Sequence, residues 1–289
     1  EIDITFHVRQ VQCGELEETY GTGATVWPAS MVLLKYMENI ATNRQLNNCG
    51  DCKGFFEGKT VADLGSGTGL TSVAAALFGA SLIICSDGCE LVVDLARDNL
   101  NYACKGLQQI VQGQRREGFG QDDGEQHEFD QQSSLEAANF WIGKSEIRAR
   151  KYLWGDGSII SELDNFGDKD KQYSLSKGNI LESSSKTTKS GEELKAMSLS
   201  QHHFDIILVS DCVLPKLYPI GPLVDAIDEL SGPNTLSLLS YEQRYYPEFD
   251  PKEEFCRLAT LRNLVVRTVP QDELDPIYSA EDIEIWEVR

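Results

Sequence analysis

Residues Val61 to Leu70 read Val-Ala-Asp-Leu-Gly-Ser-Gly-Thr-Gly-Leu. A short apolar run carrying one acid breaks into glycines at alternate positions, Gly65, Gly67 and Gly69. A helical pattern follows at once, with Leu70, Val73, Ala74, Leu77 and Phe78 on one face and Gly79 as the expected stop. The stretch is therefore read as a strand, a tight turn and a helix N-terminus. Such a junction lets backbone N–H groups approach a ligand closely, because glycine places no Cβ in the way. An α/β sheet with ligand chemistry at one strand edge is the architecture this permits.

The glycine spacing is Gly-x-Gly-x-Gly, whereas the dinucleotide fingerprint is Gly-x-Gly-x-x-Gly. Asp63 precedes the first glycine by two residues, where a carboxylate would repel a pyrophosphate and suit a ligand carrying an amino group and a sulfonium. Asp87 ends the next apolar run, Leu82-Ile83-Ile84-Cys85-Ser86, twenty residues after Gly67. A ribose-binding acid belongs there in a doubly wound sheet. Asp63, the Gly65-Ser66-Gly67 turn and Asp87 together point to S-adenosylmethionine over NAD. A glycine turn with no ligand is the bland alternative, and the acids on both sides weigh against it.

The formal net charge is −20, from 46 acidic and 26 basic residues. That disfavours nucleic acid, which demands a basic footprint, and favours basic partners such as lysine-bearing protein surfaces. No apolar run approaches a membrane span and no signal peptide is visible. The eight cysteines are scattered. Cys49 and Cys52 have zinc-knuckle spacing, but no second ligand pair follows, so no metal is expected. A reduced cytosolic chain, also nuclear, is the simpler reading.

Along the chain, Ile2 to Val11 alternates like a strand. Pro28 suits the first turn of a helix with Met31, Leu34, Tyr36 and Met37 on its apolar face. Leu82 to Ser86 reads as a second strand, and Leu91 to Ala103 as a second helix. Gln112–Ser134 and Asp164–Gln201 are polar and lack apolar periodicity, so they read as flexible inserts in one 289-residue domain. A third strand is expected around Ile147, ending near Trp154-Gly155-Asp156. Phe204 to Ser210 reads as a buried central strand, with Asp211 at its carboxyl edge. A helix over Pro222 to Leu230, a strand over Thr235 to Tyr241 and a helix over Glu253 to Leu261 follow. Leu264 to Val269 and Ile283 to Val288 are too closely joined for a helical crossover and should be antiparallel.

Six segments now carry a resemblance: Thr25-Val-Trp-Pro-Ala29, Asp63-Leu-Gly-Ser-Gly-Thr-Gly69, Leu153-Trp-Gly-Asp156, Ser210-Asp-Cys-Val213, Ser240-Tyr-Glu-Gln-Arg244 and the ending Ala280 to Arg289. The chain resembles the class I, seven-strand methyltransferases: a Rossmann-like α/β sheet, mostly parallel with an antiparallel last strand. More closely it is similar to the protein-lysine methyltransferases that include the enzymes acting on the valosin-containing protein and on Hsp70. The Tyr241–Arg244 stretch and the ending resemble the valosin-type branch. The resemblance implies S-adenosylmethionine-dependent N-methylation of a lysine on a cytosolic protein, an AAA-type ATPase or a chaperone, by a monomer. It places the cofactor at Trp27, the Gly65–Gly67 turn, Asp87, Trp154 and Ser210, with Trp154 flanking the adenine. The family's acid-x-x-aromatic motif after the fourth strand reads Asp211-Cys212-Val213-Leu214, so the acid is kept and the ring is lost. Tyr218 or Tyr241 is expected to supply that ring, and Asp211 to orient the amine; Asp211 and Tyr241 are thus the candidate catalytic residues.

Two other classes stay open. A deep closed pocket would favour a small-molecule methyltransferase. Leu214 in place of an aromatic favours a non-catalytic cofactor-binding module. A hydrolase is disfavoured, because none of the histidines lies near a nucleophile elbow.

Overall fold

The computed structural model describes residues 7–11, 20–42, 54–156 except 112–138, 158–163, and 203–289 except 248. In chain order these form α1 (Pro28–Thr42), β1 (Thr60–Leu64), α2 (Leu70–Leu77), β2 (Leu82–Asp87), α3 (Glu90–Val111), β3 (Asn139–Ile142), β4 (Ser145–Lys151), β5 (Phe204–Ser210), α4 (Ile220–Leu230), β6 (Ser231–Glu242), α5 (Pro251–Leu261), β7 (Val266–Thr268) and β8 (Ile283–Val288). The two proposed inserts, 112–134 and 164–201, lie outside the described residues, as do Cys49 and Cys52.

One eight-stranded sheet runs in the order β3-β4-β2-β1-β5-β6-β8-β7. Strands β4, β2, β1, β5 and β6 are mutually parallel, and β8 lies antiparallel between β6 and β7. This is the expected mostly parallel sheet with a reversed last strand. It carries one strand more than expected. β3 pairs antiparallel with β4 across a two-residue connection, where Gly143 takes φ 61°. A strand pair joined by Gly-Lys is a hairpin signal, and it went unread because the polar stretch before it masked the start of order.

The central parallel strands β1, β2 and β5 are covered on both faces, which explains their near-continuous apolar runs, whereas β4 alternates and buries the Glu146–Arg148 pair. Ile206 and Leu208 face α1, α2 and α3, while Ile207 and Val209 face α4 and α5. Pro28 opens α1, and Gly79 follows α2 with φ 94°. Asp250 caps α5, accepting bonds from Lys252 N (2.8 Å) and Glu253 N (3.2 Å), with Pro251 in the first turn. The strand expected over Ile2 to Val11 does not appear where it is described. Residues 7–11 join no sheet, and are held instead by Arg9 N donating to Asn99 Oδ1 and Val11 N donating to the Ala24 carbonyl.

Because the five parallel strands point the same way, Gly65, Asp87, Tyr152, Asp211 and Gln243 all emerge at one edge. In such sheets the carboxyl edge is where a ligand can be met by several loops at once.

Candidate active site

At that edge lies a cavity of about 580 Å³. Its size falls within the range of small-molecule sites. Trp27, Gly65, Ser66, Gly67, Asp87, Trp154, Ser210 and Asp211 all line it. Eight of the ten residues singled out from the sequence are thus brought together; Asp63 and Tyr241 are not.

The glycine turn is shaped for close approach. Gly65, Gly67 and Gly69 take φ of 68°, 55° and 81°, a region that costs an L side chain roughly 1–2 kcal/mol. A Cβ on Gly67 would stand 2.7 Å from the Gly23 carbonyl oxygen, and one on Gly65 would stand 2.6 Å from Cys212 Sγ. The turn is closed by Ser66 N donating to the Ser86 carbonyl (2.8 Å) and Gly69 N to the Ser66 carbonyl (2.9 Å).

Asp87 ends β2 with its carboxylate against this turn. Gly67 N donates to one oxygen (3.3 Å) and Cys89 N to the other (3.0 Å). Burial raises its pKa against the pull of these N–H groups. Each oxygen still has a lone pair for a ligand hydroxyl.

Asp63 sits behind the turn, fully buried, where it accepts bonds from Thr71 Oγ1 (2.7 Å) and Ser72 Oγ (2.6 Å). Burial pushes its pKa up to about 6. Its Oδ1 has no hydrogen-bond partner among the described residues. Direct contact with a ligand was expected. Its position in the interior of β1 instead turns it onto the first turn of α2.

A loop over residues 20–27 covers the cavity. Trp27 Nε1 donates to the Thr22 carbonyl (2.9 Å), and the Thr22 and Tyr218 hydroxyls share a hydrogen bond. The Ser30 and Ser210 hydroxyls share another at 2.7 Å. Trp154 and Tyr218 form a tilted aromatic pair, centroids 5.9 Å apart. Tyr218 N donates to the Leu214 carbonyl (2.7 Å). One turn past Leu214, the chain thereby returns a ring to the cavity that Leu214 itself does not provide. Tyr218 also has a raised pKa, chiefly from burial.

Tyr241 does not take this part. Along β6 side chains alternate, and Ser240 is the residue within reach of Ser210. Tyr241 faces the other way, 3% exposed, with its ring 4.7 Å from that of Trp286. Alternation alone carried that signal.

Asp211 is at the wall, 5% exposed, with φ 53°. Its carboxylate is already engaged: Arg244 Nη1 and Nη2 donate to its two oxygens at 2.8 and 2.6 Å. Arg244 lay in a motif noted in the sequence, but its role did not follow from spacing. Cys212 also lines the cavity. Burial, with Asp87, Asp211 and Asp63 nearby, pushes its thiol well above the ordinary value, so it is no thiolate nucleophile.

The profile of a lysine methyltransferase family matches residues 9–117 and 173–258, more than half of the chain. The chain belongs to this lysine methyltransferase family. Its similarity to the mouse (Mus musculus) protein-lysine methyltransferase METTL21E is 34% identity over 108 residues, covering 36% of this chain and 39% of that one. The chain thus matches well under half the length of that relative. Among solved structures, precorrin-6y C5,15-methyltransferase from Geobacter metallireducens aligns with 94% of this chain and 91% of its own (8% identity, TM-score 0.43). An O-methyltransferase from Bacillus cereus in complex with SAH aligns over 91% and 82% (11% identity, TM-score 0.42). In this lysine methyltransferase family member, the first matched segment holds the covering loop, the glycine turn and Asp87, and the second holds Ser210, Asp211 and Arg244.

Proposed function

We propose that the chain binds S-adenosylmethionine in this cavity and methylates a lysine side chain of a protein. The observation that carries the reading is Asp87, a carboxylate at the end of β2, bonded to Gly67 N–H and lining the cavity beside three positive-φ glycines. The residues fit the cofactor. Asp87 can accept two ribose hydroxyls, and the Gly65–Gly67 turn leaves room where a Cβ would lie for the methionine part to approach. The unpartnered Asp63 Oδ1 lies behind that turn and gives the site a negative field suited to a sulfonium. Trp154 and Trp27 supply apolar walls, Trp154 beside the adenine, and Ser210 a hydroxyl.

When bound, the cofactor supplies a methyl group on a positively charged sulfur. The protein has mainly to place an amine in line with it and exclude water, and well-oriented placement alone is worth roughly 7–11 kcal/mol. Tyr218, paired with Trp154, takes the position left open by Leu214 and flanks the incoming side chain. Asp211 carries the motif's acid at the wall.

The finer reading is a valosin-type enzyme acting in the cytoplasm on an AAA-type ATPase or an Hsp70-like chaperone, as a monomer with one catalytic domain. The Tyr241–Arg244 motif and the ending Ala280 to Arg289 support that branch by resemblance. A net charge of −20 suits a target whose lysine sits on a basic surface.

Calorimetry with S-adenosylmethionine and with NAD tests the cofactor assignment. The parent should bind the first and not the second. Asp87→Ala removes one or two hydrogen bonds to a charged group, about 1.5–3 kcal/mol each, so affinity should fall at least tenfold. NAD binding without a response to S-adenosylmethionine would overturn it.

A further inference from the structure

We propose that Arg244 is a positioning residue: it pairs with Asp211 so that an incoming lysine meets a guanidinium-bound carboxylate instead of a bare one, and enters the cavity as the neutral amine. The role assigned to Arg244 rests on the methyl transfer proposed above.

Geometry fixes the pair. Asp211 N donates to the Ser240 carbonyl (3.0 Å) and Glu242 N to Asp211 Oδ1 (3.3 Å), which ties the acid to the end of β6. A left-handed backbone at a non-glycine residue needs such support. Arg244 stands two residues past β6 and meets the carboxylate with both terminal nitrogens. That fork recognises a carboxylate bidentately. Its side chain is 25% exposed and lines a second hollow with Tyr245, Tyr246 and Phe249, so the guanidinium stands between that hollow and the cavity.

Two lysines lie near this pair: Lys216 Nζ stands 5.5 Å from the Tyr246 ring centroid, and Lys252, which lines the same hollow as Arg244, is held by Glu284 at 2.6 Å. Glu242 and Tyr246 act from β6 and its extension, Cys212 and Tyr218 from the segment after β5, Asp87 from β2 and Asp282 from before β8. Arg244 also reaches Glu242 at 3.0 Å. Without Arg244, Asp211 would stand at the cavity wall beside Asp87 with no guanidinium against its carboxylate.

Chemistry makes that charge matter. The amine lone pair must form the N–C bond while the C–S pair returns to sulfur. The positive charge passes from sulfur to nitrogen, and the methylated ammonium then loses a proton to water. An ammonium has no lone pair to offer, and the lysine reference pKa is about 10.4. A bare carboxylate within about 4–6 Å would raise that by roughly one to three pH units and hold the unreactive form. Arg244 cancels this trap while Asp211 keeps its place.

Parent, Arg244→Gln, Arg244→Lys and Asp211→Asn/Arg244→Gln are compared by two readouts, after thermal melts confirm cooperative folding. In the first, n-butylammonium, a lysine side-chain mimic, is titrated at pH 7 into protein with and without S-adenosylhomocysteine. Arg244→Gln should bind it at least threefold more tightly than the parent, and the double variant should lose that gain. Equal affinities would overturn the proposal. In the second, label transfer from S-adenosylmethionine to lysate protein is followed across pH. The Arg244→Gln profile should move to higher pH by about one unit, and Arg244→Lys should keep the parent's profile. A profile scaled down but unmoved would make Arg244 merely structural. If the parent labels no protein, the functional reading fails, while the amine titration still decides the part played by Arg244.

Discussion

Gly65 and Cys212 offer a sharp test of how the glycine turn is built. Gly65 has φ 68°, and a Cβ there would stand 2.6 Å from Cys212 Sγ. Gly65→Ala should therefore incur two separate costs. The backbone term is about 1–2 kcal/mol. The overpacking term is about 1–3 kcal/mol, because Cys212 is buried against the Leu64 and Ser210 carbonyls and has little room to retreat. Together they predict a loss of about 2–5 kcal/mol. Cys212→Ala removes the sulfur and leaves a small void, at a cost of about 1 kcal/mol. In the double variant the overpacking term disappears and only the backbone term and the lost sulfur remain. The double variant should thus be no less stable than Gly65→Ala alone, with a coupling of at least about 1 kcal/mol, beyond the ~0.3–0.5 kcal/mol scatter of independent sites. Urea unfolding followed by tryptophan fluorescence measures all four proteins. Additive losses would refute the reasoning, because they would mean that Cys212 moves aside freely and the turn is not held by it.

Three further outcomes follow from the geometry. Burial lifts the pKa of Asp63 to about 6 and raises that of Asp87, so between the ordinary carboxylate value and about 6 these two groups hold more protons in the folded chain than in the unfolded one; their contribution to stability without ligand should fall as pH rises through that window, whereas Glu162 and Glu284, whose pKa values are lowered, act in the opposite sense. A cationic sulfonium ligand should pull protons off, so calorimetry in buffers of different ionisation enthalpy should show proton release near pH 6, and its absence would show that Asp63 does not sense the ligand. Arg148→Met deprives Glu146, 1% exposed, of a guanidinium partner at 2.9 Å and should cost about 3–5 kcal/mol by urea unfolding, a loss under 1 kcal/mol arguing that the pair contributes little. Tyr218→Phe removes the bond to Thr22 that anchors the loop over residues 20–27, and should weaken S-adenosylmethionine binding by about 1 kcal/mol; Tyr218→Ala should cost more, and equal losses would leave the ring without a role.

What the sequence revealed was local. The β1–glycine–α2 junction and Asp87 could be read because a strand, its turn and the next strand's end are neighbours in sequence and their glycines have one physical use. Strands β1, β2 and β5 announced themselves as apolar runs, since both faces are covered. Pairings between distant segments were not legible. Arg244 meets Asp211 across 33 residues through sheet order, and the Gly67 turn meets the Gly23 carbonyl through the loop over residues 20–27, neither by spacing. Tyr241 shows a different failure: its alternation with Ser240 was visible, yet the motif it belongs to drew it toward the site. Of the two tyrosines offered for the ring that Leu214 lacks, Tyr218 lines the cavity and Tyr241 does not.

Methyl transfer itself is the most direct measurement. The parent and Asp87→Ala are incubated with methyl-labelled S-adenosylmethionine and cell lysate, and labelled material is mapped by mass spectrometry to the modified atom. Label on the side-chain nitrogen of lysine in a protein, at least tenfold weaker with Asp87→Ala at limiting cofactor, is the predicted result. Label confined to small molecules, or equal label from both proteins, would contradict the assignment of this cavity to protein-lysine methylation.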